Sequence, residues 1–80
     1  MIDQRSAKIA AHTAGIRVTI NGEGRAVPPG SVASLLEHLD IDPRTVVVEL
    51  NRSIVRRPEL GATPIKEGDA IELVHFVGGG

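Results

Sequence analysis

The chain of 80 residues contains no cysteine, no tryptophan and no tyrosine, and Phe76 is its one phenylalanine. Without cysteine there can be no disulfide scaffold, no thiolate metal site and no cysteine nucleophile. Because aromatic residues are so few, the core must be built from aliphatic side chains. A chain of this length forms one domain of modest stability.

An excess of charge of one sign is also missing. The formal net charge is −1, and acidic and basic residues are interspersed. Binding to nucleic acid through its phosphates requires clustered Lys and Arg, so we expect no nucleic-acid partner. No apolar run reaches membrane-spanning length, and residues 1–15 lack the apolar segment of a secretory signal. We therefore expect a cytoplasmic protein with no membrane partner.

The sequence also lacks the residue groupings that carry catalysis. His12, His38 and His75 have neither cysteine partners nor the spacing of metal ligands, so no metal site is expected. Asp40 and Asp42 are better explained as helix-stop and turn residues than as a paired acid and base. We predict that the protein is not an enzyme and binds no cofactor of its own.

The first half of the domain is predicted to be a hairpin followed by a helix. Residues 16–20 alternate between apolar and polar, which indicates a half-buried strand. Asn21-Gly22 favours a tight hairpin turn because both residues tolerate positive φ, and residues 25–27 form the return strand. Ser31 is a good N-cap, and apolar residues then recur at helical spacing between 32 and 39.

The second half is predicted to be mainly strands. Residues 45–50 form a strand with Val46 and Val48 inward, while Val47 and a solvated Glu49 face outward. A turn at residues 51–53 leads into a short strand at 54–56. An irregular or short helical stretch follows from Pro58, Pro64-Ile65 returns to the core, and Lys66 to Asp69 is a turn. The closing strand begins at Ile71.

These elements predict an α+β fold. The first and last strands are the best strand candidates, and they lie side by side and parallel in the simplest compact arrangement. We therefore expect a β-grasp (ubiquitin-like) domain with a mixed sheet of four to five strands and one main helix packed across it. Its expected bounds are 16–77. Residues 1–15 would be a flexible extension or a cloning remnant, and 78–80 a flexible glycine tail.

The glycine tail is the feature that points to function. Gly78, Gly79 and Gly80 have no side chains to pack, so they would form a thin thread that ends in a carboxylate. At ~3.3–3.6 Å per residue, this thread reaches about 10 Å from the body and can enter a narrow site on another protein. The alternatives are a frayed terminus or a cloning remnant.

The closing strand predicts a docking surface beside this tail. Glu72 should be exposed, so Val74 and Phe76 share its outward side, and Val47 joins them from the neighbouring strand. An exposed aromatic residue is a plausible interface anchor. The alternative is that Phe76 folds back and covers the end of the sheet.

Several motifs along residues 16–80 belong to a recognisable pattern. They are Asn21-Gly22, Leu35-Leu36, Val48-Glu49-Leu50-Asn51, Ile54-Val55, Lys66-Glu67-Gly68-Asp69 and His75-Phe76-Val77-Gly78-Gly79-Gly80. In this order they resemble the sulfur carrier proteins of thiamine (thiazole) biosynthesis, the ThiS family. The leader of residues 1–15 departs from the pattern, since that family usually begins at the first strand.

The resemblance implies a protein that is a substrate rather than a catalyst. A ubiquitin-activating-like adenylyltransferase would use ATP to adenylate the carboxylate of Gly80. A sulfur donor protein would convert the acyl-adenylate to a thiocarboxylate, and the sulfur would pass to thiazole synthase. Gly79 would keep the thread slender inside the adenylating pocket, and Gly78, Phe76, Val74 and Val47 would contact the partner.

Other functions remain open from the residues alone. The same fold serves carriers for molybdopterin synthesis, tRNA thiolation and protein conjugation. Molybdopterin carriers usually have Pro-Pro just before their last residues, where this chain has Phe76-Val77, and this difference favours thiazole. A β-grasp interaction module without chemistry is the alternative from a different class.

Overall fold

The computed structural model describes residues 15–76. The predicted glycine tail and all of the predicted N-terminal extension except Gly15 lie outside the described residues. The elements are β1 (Ile16–Ile20), β2 (Glu23–Val27), β3 (Gly30–Ser31), α1 (Val32–His38), a 3-10 helix (Pro43–Thr45), β4 (Val46–Leu50), β5 (Ser53–Val55), a second 3-10 helix (Arg57–Ala62), β6 (Pro64–Ile65) and β7 (Ala70–His75).

Five of the strands form one sheet in the order β2-β1-β7-β4-β5, and β3 pairs with β6 in a separate two-stranded ladder. The strands β1 and β7 run parallel, with Thr19 opposite Ala70 and Ile20 opposite Ile71. All other neighbours in the large sheet are antiparallel. The predicted β-grasp arrangement, with the first and last strands adjacent and parallel, is confirmed.

The two hairpin turns are tighter than predicted. Asn21 and Gly22 adopt positive φ, so Ile20 pairs directly with Glu23 and β2 starts two residues before the predicted 25–27 segment. Asn51 and Arg52 likewise have φ values of 51° and 74°. Leu50 therefore pairs with Ser53, and β5 covers 53–55 instead of the predicted 54–56.

The start of β4 also differs by one residue from the prediction. Thr45 ends a 3-10 helix because its hydroxyl donates to the Asp42 carbonyl at 2.7 Å and its backbone N–H donates to the same oxygen. The strand can begin only once these hydrogen bonds end, at Val46.

Helix α1 begins at the predicted cap. The Ser31 hydroxyl accepts from the Ser34 backbone N–H at 3.1 Å, and the Ser34 hydroxyl accepts from the Ser31 N–H at 2.9 Å. These reciprocal bonds satisfy backbone donors that a helix start leaves free. The helix then presents its apolar side to the sheet.

The core is aliphatic, as expected from the sequence. The buried apolar residues are Val18, Ile20, Val27, Val32, Leu35, Leu36, Val46, Val48, Leu60, Ile65, Ile71 and Leu73.

No helix within residues 15–76 is long and apolar enough to cross a membrane.

Candidate partner-docking site

The strand that leads to the glycines is held firmly on its β1 side. Asn21 hydrogen-bonds to β7 in the manner of a peptide group: its Oδ1 accepts from the Leu73 N–H at 2.8 Å and its Nδ2 donates to the Leu73 carbonyl at 3.3 Å. The Asn21 N–H also donates to the Ile71 carbonyl at 2.9 Å. The side chain therefore continues the parallel ladder after β1 has turned away.

A second asparagine holds the start of β7 from the other side. Asn51 Oδ1 accepts from the Ala70 N–H at 2.9 Å, and Asn51 Nδ2 donates to Asp69 Oδ1 at 3.0 Å. At the far end, the Phe76 N–H donates to the Thr45 carbonyl at 3.2 Å. The chain is thus hydrogen-bonded up to Phe76, the last described residue, which gives a fixed base to whatever follows.

The face of the sheet opposite α1 carries an uncovered apolar surface. Val47 lies directly across from Val74 in the β4–β7 register. Val47 is 39% exposed, Val74 53% and Phe76 42%. The predicted outward orientation of these three residues is confirmed, whereas their role in binding a partner stays a prediction.

Sequence reasoning missed one member of this surface. Ile54 is 64% exposed and pairs with Glu49, which places it on the same face as Val47. A strand of three residues has too little alternation to assign its faces, so only the register reveals this position. We call Val47, Ile54, Val74 and Phe76 the outer patch.

The outer patch is bordered by charges of both signs. Glu49 and Glu72 lie directly opposite each other next to the Val47–Val74 pair. Glu49 is half-buried rather than fully solvated as predicted, because it lies between two neighbouring strands. On the other side, Arg56 and Arg57 line an open groove of about 210 Å³ together with Phe76.

Asp42 has the turn role that the sequence predicted. Its pKa falls from the ordinary value of 3.8 to about 2, mainly because the Arg44 guanidinium donates to both carboxylate oxygens. The distances are 3.1 Å from Nε and 2.8 Å from Nη2, and the Arg44 backbone N–H adds a third bond at 2.9 Å. The carboxylate is therefore committed to capping the 3-10 helix.

The remaining predicted residues are placed as follows. Asp40 has a positive φ of 61° just after α1, consistent with a helix-stop role. Residues 15–76 contain no group of three His, Asp or Glu side chains that is suited to hold a metal ion. His12, Gly78, Gly79 and Gly80 lie outside the described residues.

The body is a ubiquitin-like β-grasp domain that exposes an apolar patch, which includes the last described residue, Phe76. The chain belongs to the ThiS family, whose sequence model matches residues 18–80. Comparison with solved structures supports the same family assignment. The thiamine biosynthesis protein ThiS from Geobacter metallireducens superposes with a TM-score of 0.72 at 36% identity, covering 81% of this chain and 100% of that one.

The curated relatives include sulfur carriers and thiazole synthases. The sulfur carrier protein ThiS of Bacillus subtilis is 35% identical over 51 residues, which cover 64% of this chain and 77% of the relative. A thiazole synthase from Magnetococcus marinus is 39% identical over 66 residues, which cover 81% of this chain. Those residues are 20% of that enzyme, so the chain spans about a fifth of the thiazole synthases it matches.

Proposed function

We propose that this chain is a sulfur carrier of thiamine biosynthesis, which acts as a protein substrate and not as a catalyst. The observation that carries the proposal is the family match, because it extends through residue 80 and so includes Gly78, Gly79 and Gly80. The relative in Bacillus subtilis is named a sulfur carrier.

The proposed chemistry takes place at the carboxylate of Gly80. One of its oxygens attacks the α-phosphorus of ATP on a ubiquitin-activating-like adenylyltransferase, and pyrophosphate leaves. A hydrosulfide equivalent from a sulfur donor protein then attacks the acyl carbon, AMP leaves, and a thiocarboxylate remains. Since glycine lacks Cβ, Gly79 and Gly80 leave the backbone slender enough to enter a narrow adenylating pocket.

The folded body would supply the binding energy for this reaction. The outer patch is a suitable docking surface because it is apolar and exposed, and because its Phe76 is only two residues before Gly78 in the chain. Contacts with Val47, Val74 and Phe76, and further along with Gly78, would hold the tail so that the acyl carbon meets its reaction partner. Ile54 extends this surface.

The proposed acceptor of the sulfur is thiazole synthase. Its support is the pair of thiazole synthases that contain a segment related to this chain. We therefore favour thiazole over molybdopterin synthesis, tRNA thiolation or protein conjugation, and over an interaction module without chemistry.

Mass spectrometry tests the proposal. The intact mass of the natural protein is measured first, because the scheme requires a free carboxylate on Gly80. Incubation with the adenylyltransferase of the source organism, ATP and sulfide should then replace one oxygen of Gly80 by sulfur. A variant with alanine appended after Gly80 is the matched control. It should fold normally and form no thiocarboxylate. If the mass of the natural protein does not change, the proposal is contradicted. If the control variant forms a thiocarboxylate, the proposed role of the glycine tail is contradicted.

A further inference from the structure

An open pocket of about 390 Å³ lies on the helix side of the sheet, opposite to the outer patch. Its apolar part is formed by core and near-core side chains of the sheet and of the segment after α1, among them Leu39 and Leu73. Its polar part includes Arg25, His38 and His75. We call this the basic pocket.

Three separate elements bring these side chains together. Arg25 lies opposite the buried Val18, so it projects on the core side of the edge strand β2. His75 lies opposite the buried Val46 at the end of β7, on the same side. His38 stands in the last turn of α1. The sequence separates these residues widely, so the pattern alone does not reveal the grouping.

The pocket has no built-in counter-charge among the described residues. No Asp or Glu lines it. Within residues 15–76 the ion pair is the one between Arg44 and Asp42, so Arg25 has no carboxylate partner there. A permanent guanidinium charge and two imidazole rings therefore surround a partly apolar opening, in a chain whose formal net charge is −1.

We propose that the basic pocket receives an acidic side chain, flanked by an apolar residue, from the protein that accepts the glycine tail. This inference rests on the proposed function. From His75 to Gly80 the chain can extend by no more than about 18 Å. When the tail is extended into an active site, the basic pocket therefore meets the surface around the entrance and not the reacting nucleotide. The occupant that fits this position is a carboxylate fixed on the partner.

Charge complementarity at such a surface acts mainly on association and its salt dependence. The first experiment measures kcat/KM for thiocarboxylate formation at low and high salt in the full chain, in Arg25→Gln and in Arg52→Gln. The control removes the same charge from the β4–β5 turn, outside the pocket. We expect Arg25→Gln to lower kcat/KM about tenfold at low salt through KM, with kcat unchanged and a flatter salt dependence. Equal effects of the two substitutions would overturn the proposal.

A second experiment requires no enzyme and separates this inference from the proposed function. The full chain is titrated with acetyl-Leu-Glu-amide, with acetyl-Leu-Gln-amide and with inorganic phosphate while the NMR signals of Arg25 Nε and of the His38 and His75 rings are followed. The Glu peptide should shift these signals, and the Gln peptide should leave them in place. Equal responses to the two peptides, no response, or a stronger response to phosphate would overturn the assignment. If the wild-type chain binds the Glu peptide but forms no thiocarboxylate in the enzyme assay, only the proposed function is contradicted.

Discussion

Val47 and Val48 are neighbours in β4, yet they face two different surroundings. Val48 lies across from Leu73 on the side covered by α1, and the two residues are 2% and 7% exposed. Val47 lies across from Val74 on the open side. The residue types are nearly the same, and the difference is that only the Val48 side belongs to the core that α1, the second 3-10 helix and β6 complete.

This contrast separates the apolar residues that stabilise the fold from those that remain exposed on its surface. The inner pairs remove apolar surface from water and so stabilise the domain. The outer patch keeps apolar surface in water, which contributes little to folding. Contiguous exposed apolar surface is typical of interaction sites. The same substitution should therefore destabilise the domain much more on the covered side of the sheet than on the open side.

The largest effect on stability is expected from the inner side. Val48→Ala removes the two buried methyl groups of the side chain and leaves a cavity in the core. This change should lower the free energy of unfolding by about 2 kcal/mol. Val47→Ala makes the same change on the open side and should lower it by less than about 0.5 kcal/mol. Urea unfolding of both variants measures the difference, and equal losses would refute the assignment of the two sides.

The next effect concerns the helix that creates the contrast. Gly30 has a φ of +155°, and a Cβ added there would lie 2.4 Å from the Ser34 hydroxyl. Gly30→Ala should therefore displace the Ser34 side chain from its bond with Ser31 and lower the free energy of unfolding by about 1–2 kcal/mol. Gly61→Ala is a matched control, because the added Cβ meets nothing within 4 Å. A similar urea midpoint for the two variants would count against this role.

A smaller effect is expected where β7 is fastened. Asn21→Gly keeps the positive φ but removes both side-chain bonds to Leu73, at a cost of about 1 kcal/mol. The Leu73 amide should then exchange its hydrogen faster. In Asn51→Gly the faster exchange should move to the Ala70 amide, whose acceptor is Asn51 Oδ1. Unaltered Leu73 exchange in the first variant would show that the Asn21 bonds do not hold β7.

The smallest effect is a pH dependence at the turn before β4. The pKa of Asp42 is lowered from its ordinary value of 3.8 to about 2. The carboxylate therefore stabilises the fold fully when the pH is above the ordinary pKa, and this stabilisation is lost as the pH falls through the lowered pKa. Asp42→Asn keeps a cap oxygen but not the charge. The melting temperature of the variant should lie slightly below that of the parent near pH 5, and the gap should close towards about pH 2. A gap that stays constant with pH would contradict this assignment.

Local patterns predicted most of this architecture. Alternation in residues 16–20 assigned the strand faces correctly, and Ser31 was correctly identified as the helix cap. The strand bounds were less accurate because the length of a turn depends on backbone hydrogen bonds. Thr45, for example, matches a strand pattern but bonds back to Asp42.

Features that depend on distant pairing could not be predicted from these patterns. Asn21 was predicted to form a turn, but its bonds to Leu73 join residues 52 positions apart. The exposed face of Ile54 follows from its register with Glu49. The grouping of Arg25 with His75 likewise requires the sheet order, in which β1 separates β2 from β7.

The central claim is that the outer patch serves a partner and not the fold. The most direct test is the KM of thiocarboxylate formation for Val47→Ala and Phe76→Ala, measured beside their melting temperatures. We predict that KM rises about tenfold in each variant, as expected when an interface anchor is truncated, while the melting temperature stays close to that of the parent. An unchanged KM in both folded variants would contradict the claim.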